Sequence, residues 1–204
     1  MGDNLNLNES NTDHEVHNLN CQWVVWYHNP SDKNWSTDSY KDILEVHSIE
    51  DMLVLKNSWN QCLPLVSEGM FFMMRKMPDG KPIYPLWEDR MNRNGGVWSF
   101  KIDKEVAQDV WFKLCAYAIG ETICDDVNET LQITGISISP KKSFCILKIW
   151  NQDKNNCNTE LLSKGLHKFL NMGEVLYANH DSNIERDQEK KQRFENREFR
   201  WSRR

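Results

Sequence analysis

The stretch LQITGISISPKKSFCILKIW, residues 131–150, decides the fold class: residues 131–139 and 143–150 are β-branched runs on either side of Pro140-Lys141-Lys142, so they read as two strands joined by a turn. Strands joined this closely run antiparallel. Upstream the period changes: Val106, Val110 and Leu114 recur every four residues with Ala107, Trp111 and Cys115 beside them, which predicts a helix over 104–119. VWSFKI at 97–102 follows Gly95-Gly96, and MFFMMRK at 70–76 ends at Pro78-Asp79-Gly80; both read as strands. Ser48 opens an S-x-x-D pattern ahead of Met52, Leu53 and Leu55, which starts a short helix running to about Trp59. QWVVWYH at 22–28 is aromatic and β-branched and stops at Asn29-Pro30-Ser31-Asp32, another strand and turn. Downstream, TELLSKGLHKFL at 159–170 has helical spacing, and EVLYA at 174–178 is a last strand. Strand pairs mixed with isolated helices predict an α+β domain with an antiparallel sheet.

The 204 residues suit one domain, and nine Trp, eight Phe and five Tyr supply a core that a disordered chain lacks. No apolar run approaches the roughly 20 residues of a membrane helix, and the start lacks the basic flank and apolar stretch of a signal peptide. The expectation is a soluble cytosolic or nuclear protein, monomeric on its own, with no membrane partner. Six scattered cysteines without a C-x-x-C pair suit reduced thiols. Net charge is −5, but residues 1–20 hold four acids and no Lys or Arg, and residues 181–204 hold six acids and eight bases. The middle is close to neutral, which excludes a DNA-coating face and allows a small basic site. The chain divides into a disordered Asn-rich acidic tail at 1–16, a folded domain at 17–180 and a charged tail at 181–204, helical or disordered.

Enzyme motifs are absent: there is no G-x-S-x-G, no P-loop, no G-x-G-x-x-G and no H-E-x-x-H, so neither catalysis nor a cofactor is expected. Glu88 and Asp89 are adjacent, and adjacent side chains on an extended chain point apart, which argues against a shared acid/base role. His14, His17 and Cys21 have a spacing that could hold a metal, but with no fourth ligand they read as surface residues and no metal is expected. Trp35 and Trp87 stand out, because each sits among polar neighbours in a loop, where stacking on a ligand competes with packing under the loop. Trp87 is followed by Glu88, and an indole with a carboxylate can grip guanine: the ring stacks while the carboxylate accepts from nitrogen-1 and the 2-amino group. Trp23, Trp26, Trp98 and Trp111 fall in strand or helix patterns and read as structural.

Taken together, HNLNCQWVVWYH from His17, DKNW to Trp35, IEDM from Ile49, IYPLWED from Ile83, NGGVW to Trp98, AIGE to Glu121, ITGISIS from Ile133 and ILKIW to Trp150 resemble, in order, the eukaryotic initiation factor 4E family of messenger-RNA cap-binding proteins. The resemblance covers about residues 17–180. It implies one curved antiparallel sheet of eight strands with three helices on the convex face, and a 7-methylguanosine cap on the concave side. It implies that Trp35 and Trp87 sandwich the methylated base, that Glu88 reads its hydrogen-bond edge and that Trp150 packs against the methyl group. The cationic base gains a cation–π attraction that plain guanine lacks.

The resemblance has departures. The family usually has Arg where Val97 stands, Arg at Lys141 and Lys at Ile146, all toward the cap's phosphates. The phosphate contacts expected here are Lys141, Lys142 and Lys148, the last sharing a strand side with Trp150. A plain exposed strand lysine is the competing reading for Lys148. On the back, the family binds a helical peptide of the scaffold subunit 4G or of a repressor through a His-Pro-Leu segment and a first-helix Trp. Here those positions are His17-Asn18-Leu19 and Leu53. Ile49, Phe112 and Ala116 complete the expected peptide surface, with ordinary core as the alternative for this group and the favoured reading for Ile119. The expected function is cap binding that recruits messenger RNA for translation initiation. The alternatives are a cap-binding repressor, raised by Leu53 and Asn18, and an interaction protein with weakened cap binding.

Overall fold

The computed structural model describes residues 15–186 and residue 189. The expected acidic tail at 1–16 therefore lies outside the described residues except for 15 and 16, and the charged tail is described only over 181–186, which is helical, and at 189. The elements are β1 (Asn18–His28), β2 (Lys41–Ser48), α1 (Ile49–Cys62), β3 (Met70–Arg75), β4 (Gly96–Asp103), α2 (Ala107–Ile119), α3 (Val127–Leu131), β5 (Ile133–Pro140), β6 (Phe144–Asn151) and β7 (Leu176–Asn179). All seven strands form one curved sheet in the order β2-β1-β3-β5-β6-β4-β7, with every neighbour antiparallel. The 131–150 hairpin is present as β5 and β6, paired from Pro140↔Cys145 to Ile133↔Asn151.

Alternation along the strands sorts side chains onto two faces. On one, Trp23 and Val25 of β1, Phe71 and Met73 of β3 and Leu147 and Ile149 of β6 meet Leu55 and Trp59 of α1 and Trp111 and Leu114 of α2. On the other, Val24, Trp26, Phe72, Met74, Val97 and Trp150 form a second apolar cluster, apart from the one that α1 and α2 pack against. It is roofed by the loop from Met77 to Met91. The helices begin as their sequence directs: Asp51 N–H donates to Ser48 Oγ at 3.1 Å while Asp51 Oδ2 accepts from Ser48 N–H at 3.0 Å. This reciprocal bonding satisfies two N–H groups that the first helical turn leaves unpaired.

The α+β class and the single curved antiparallel sheet are as expected, and the details differ. Seven strands are present among the described residues, one fewer than eight; Lys76 and Pro82 make only a single isolated bridge. β2 carries no clean alternation because it is an edge strand whose only buried residues are Val46 and Ser48, and its pairing recruits the start of β1, which begins at Asn18 rather than at residue 22. The 159–170 segment is not one helix but two 3₁₀ turns, Thr159–Leu161 and Leu166–Lys168. Leu162 between them is extended and bridges to Cys124, so Leu162, Leu166 and Leu170 bury without a continuous helix. The third helix is instead the short α3, placed just before β5. All six cysteines are unpaired. No described helix is long and apolar enough to cross a membrane.

Candidate functional site

β1 ends with Val24, Trp26 and His28 facing the side of the second cluster, and the chain then turns through residues 29–36. That loop is held by short polar bonds: Asp32 N–H donates to Asn29 O, Asn34 N–H to Asp32 Oδ1 and Ser36 N–H to Asn34 Oδ1. Trp35 is 50% exposed at its tip. Its inner face lies flat on the His28 ring, with centroids 4.2 Å apart and planes within 4°. His28 is wholly buried, and its Nε2 bonds to Asn34 O at 2.8 Å, the carbonyl just before Trp35. Tyr40, which opens the way into β2, touches both rings, 4.9 Å from His28 and 6.4 Å from Trp35.

The loop after β3 carries the second tryptophan. Asp89 Oδ2 accepts from Tyr84 N–H at 3.1 Å and its Oδ1 from Met91 N–H at 2.9 Å, while buried Asn92 donates to the carbonyls of Tyr84 and Leu86. Asp89 is thus spent on the turn. Glu88 is exposed and, among the described residues, has no hydrogen bond or ion pair. Trp87 is half-buried at the margin of the second cluster. The Tyr40 hydroxyl donates to Pro85 O at 3.1 Å, tying the two tryptophan loops, and burial with the nearby Glu88 charge pushes the Tyr40 phenol well above its usual pKa. The loop closes at Gly95-Gly96, where a Cβ would meet Asn151 O at 1.8 Å and Ala178 O at 2.6 Å, so both positions need glycine.

β6 brings Ile146, Lys148 and Trp150 to the same side. Trp150 is only 2% exposed and donates its indole N–H to Ser137 Oγ at 2.9 Å. Val97 pairs directly with it and is equally buried, which explains an apolar residue there: the site adjoins Trp150 and is closed over. Lys148 is half-buried; desolvation, then the charge of Lys141, lowers its pKa. Lys141 and Lys142 are exposed in the β5–β6 turn. None of the three lysines has a carboxylate within ion-pair distance among the described residues.

His180 lies behind Trp150, with ring centroids 4.9 Å apart, wholly buried and with neither ring nitrogen hydrogen-bonded. Burial, with the Lys148 charge beside it, lowers its pKa from 6.5 to about 4. A depressed folded-state pKa means that the unfolded chain binds the proton first, so the stability it contributes is complete above pH 6.5 and is lost as pH falls toward 4. At 1.36 kcal/mol per pKa unit the loss is about 3 kcal/mol. Urea unfolding at pH 7.5 and 4.5 should show the wild type losing about 2–3 kcal/mol more than His180→Gln; parallel losses would remove His180 from the acid response.

Ile49 and Leu53 of α1 are 44% and 51% exposed, and Leu19 is half-buried nearby on β1. His17 bonds to Glu50, Nδ1 to Oε1 at 2.8 Å. Phe112 is 8% exposed and packs edge-on against Trp59, so it belongs to the core rather than to an open peptide surface; Ala116 is exposed and Ile119 packs on the core. Among the described residues no three metal-binding side chains gather, and His14 lies outside them.

The family model described as eukaryotic initiation factor 4E matches residues 18–195. The chain belongs to the eukaryotic initiation factor 4E family. It is similar to eukaryotic translation initiation factor 4E of Candida albicans, 30% identical over 187 residues that cover 85% of this chain and 84% of that protein. The corresponding Candida glabrata protein is 30% identical over 159 residues, covering 74% and 69%. Among solved structures, C. elegans eIF4E-3 in complex with the 4E-binding protein Mextli and a cap analog superimposes with a TM-score of 0.67 at 19% identity, covering 83% of this chain and 96% of that one. Ascaris suum eIF4E-3 with m7G cap gives 0.58 at 23% identity, covering 70% and 77%. At these identities the two structures establish the initiation factor 4E fold. Trp87 and Trp150 belong to the second apolar cluster and Trp35 packs on His28 and Tyr40 beside it, while Tyr40, His28, Asn92 and His180 support these residues without any signal in the sequence pattern.

Proposed function

We propose that this protein binds the 7-methylguanosine cap of messenger RNA, with Trp35 and Trp87 stacking on the base and Glu88 accepting from its nitrogen-1 and 2-amino group, and so brings capped RNA to translation initiation. The observation that carries the reading is the pairing of an outward-facing Trp35, backed by His28, with the Trp87-Glu88 loop to which Tyr40 joins it. Among the described residues Glu88 has no hydrogen bond or ion pair, so its carboxylate is available to a ligand. Trp150, almost fully buried, offers the methyl group no more than a ring edge. Lys141, Lys142 and Lys148 serve the triphosphate; Lys148 is half-buried and has no ion pair among the described residues, so a phosphate that neutralises it also relieves its desolvation. The role is binding rather than catalysis, exercised in the cytosol. The C. elegans and Ascaris suum structures support it: both are complexes with the cap or its analog, and one also holds a 4E-binding protein.

A helical peptide from a scaffold or repressor is the proposed partner on the back, over Ile49, Leu53 and the exposed part of Ala116, with Leu19 and His17 at its margin. Leu53 lacks the broad face and N–H of a tryptophan, which favours a partner of altered sequence.

The test is a fluorescence titration with 7-methyl-GTP and with GTP. Stacking of a cationic base between indoles is worth about 2 kcal/mol over the neutral one, so the methylated ligand should bind about thirtyfold tighter. Equal binding would overturn the reading. Glu88→Gln replaces one acceptor with a donor facing guanine's own donors, and a charged hydrogen bond contributes about 1.5–3 kcal/mol, so 7-methyl-GTP affinity should fall roughly tenfold or more. An unchanged affinity would show that Glu88 does not read the base.

A further inference from the structure

The geometry points to Tyr40 and His28 as positioning residues that hold the two tryptophan loops at a set separation before any ligand arrives; this rests on the cap-stacking reading. A tryptophan half exposed at a loop tip ordinarily samples several rotamers, and ordering it costs binding free energy. In this protein both the ring and the backbone of Trp35 are set by one imidazole. His28 covers the inner ring face within 4° of parallel, and the same residue bonds the carbonyl of Asn34. His28 cannot yield: it is wholly buried and sits on β1 opposite Met70 of β3.

Tyr40 carries the constraint across the slot. Its ring is 7% exposed, packed against His28, Trp35 and Phe72, and its hydroxyl donates at 3.1 Å to the carbonyl of Pro85, two residues before Trp87 and three before Glu88. Tyr40 and Pro85 are 45 residues apart in sequence, and theirs is the one side-chain hydrogen bond between the two loops among the described residues. A phenol is protonated at neutral pH and burial only raises its pKa further, so it remains a donor. Outward from β1, the order is thus His28, then Trp35, then the ligand. Tyr40 sets how far away the second wall stands. A buried tyrosine hydroxyl needs a partner, and here that partner is a carbonyl of the ligand loop, so the bond also fixes where that loop stands.

A receptor whose competent state is fully populated binds with its intrinsic constant; one populated only in part binds weaker by that fraction, through slower association. Tyr40→Phe removes the Pro85 bond and keeps the ring. The expected result with 7-methyl-GTP is a loss of roughly three- to tenfold, carried by the association rate with the dissociation rate unchanged. His28→Phe keeps the stack and loses the Asn34 bond, and His28→Leu loses both, so affinity should fall in that order. In the unliganded protein labelled with 5-fluorotryptophan, the ¹⁹F resonance assigned to Trp35 by Trp35→Phe should broaden or split in Tyr40→Phe. A resonance as sharp as the wild type's overturns the strut whether or not the ligand binds. A wild type that binds 7-methyl-GTP with a Tyr40→Phe variant matching it in both rates also overturns it. Failure of the wild type to prefer 7-methyl-GTP over GTP is the separate failure of the cap reading. A variant that lowers only the melting temperature marks Tyr40 as core alone.

Discussion

Trp87→Ala should weaken 7-methyl-GTP binding by roughly a hundredfold or more. Base stacking on an aromatic side chain is worth about 1–3 kcal/mol, and the cationic base adds about 2 kcal/mol where the ring is desolvated, so one wall of the slot carries several kcal/mol. Trp87 is only half-buried at the margin of the second apolar cluster, and its loop is pinned independently by Asp89 and Asn92. The fold should therefore survive the truncation with a modest loss of stability. Titration of intrinsic fluorescence, read alongside the melting temperature, separates the two effects. Trp87→Phe should recover part of the affinity, because a smaller ring stacks with less overlap. A Trp87→Ala protein that binds as the wild type does would remove this residue from the site and the sandwich with it.

Arg75→Met should cost about 3–5 kcal/mol of folding stability. Arg75 ends β3 and is buried; its Nε donates to Ile133 O at 3.0 Å, one terminal nitrogen to Glu121 at 3.0 Å and the other to Thr130 O at 3.2 Å. Its guanidinium lies 4.6 Å from the Trp23 ring centroid. One side chain thus joins β3 to the start of β5 and to the turn after α2, and Glu121 is held there at φ 52°, a conformation uncommon outside glycine. Burial pushes the Glu121 carboxyl up, but hydrogen bonds from Cys21 and Arg75 and the Arg75 charge outweigh it and hold the carboxyl below its ordinary value. Removing the arginine leaves a largely buried carboxylate without its cation, which is the expensive way to break such a pair. The lowered pKa adds a sign: the stability linked to Glu121 is complete above the ordinary carboxylate range and is lost as pH falls through it. Chemical denaturation should find Arg75→Met far less stable at pH 7, with part of the loss recovered on adding Glu121→Gln. No recovery would mean that the cost lies in the carbonyl bonds and the packing on Trp23.

The sequence by itself determined the elements whose period records burial. Residues 131–150 alternate β-branched residues around a proline turn, and that hairpin is present as β5 and β6. Val106, Val110 and Leu114 mark α2, although the regular helix starts at Ala107, after a looser turn from Asp103. The two loop tryptophans were legible for the opposite reason: large apolar rings among polar neighbours have no local burial to account for them. Tertiary structure decided what depends on partners distant in sequence. β2 has weak alternation because an edge strand buries only part of one face, and its existence depends on β1. Leu162 is extended rather than helical because it pairs with Cys124, 38 positions back. Phe112, which the resemblance put on the peptide surface with ordinary core as the alternative, is covered by Trp59 of another helix. Tyr40, in the polar run STDSYKD, carries no pattern at all, and its role follows from a hydrogen bond to a carbonyl 45 residues away. Periodicity reports how much of a side chain is buried, because local geometry repeats along the chain. Which partner it is buried against is set only when the strands have found their order.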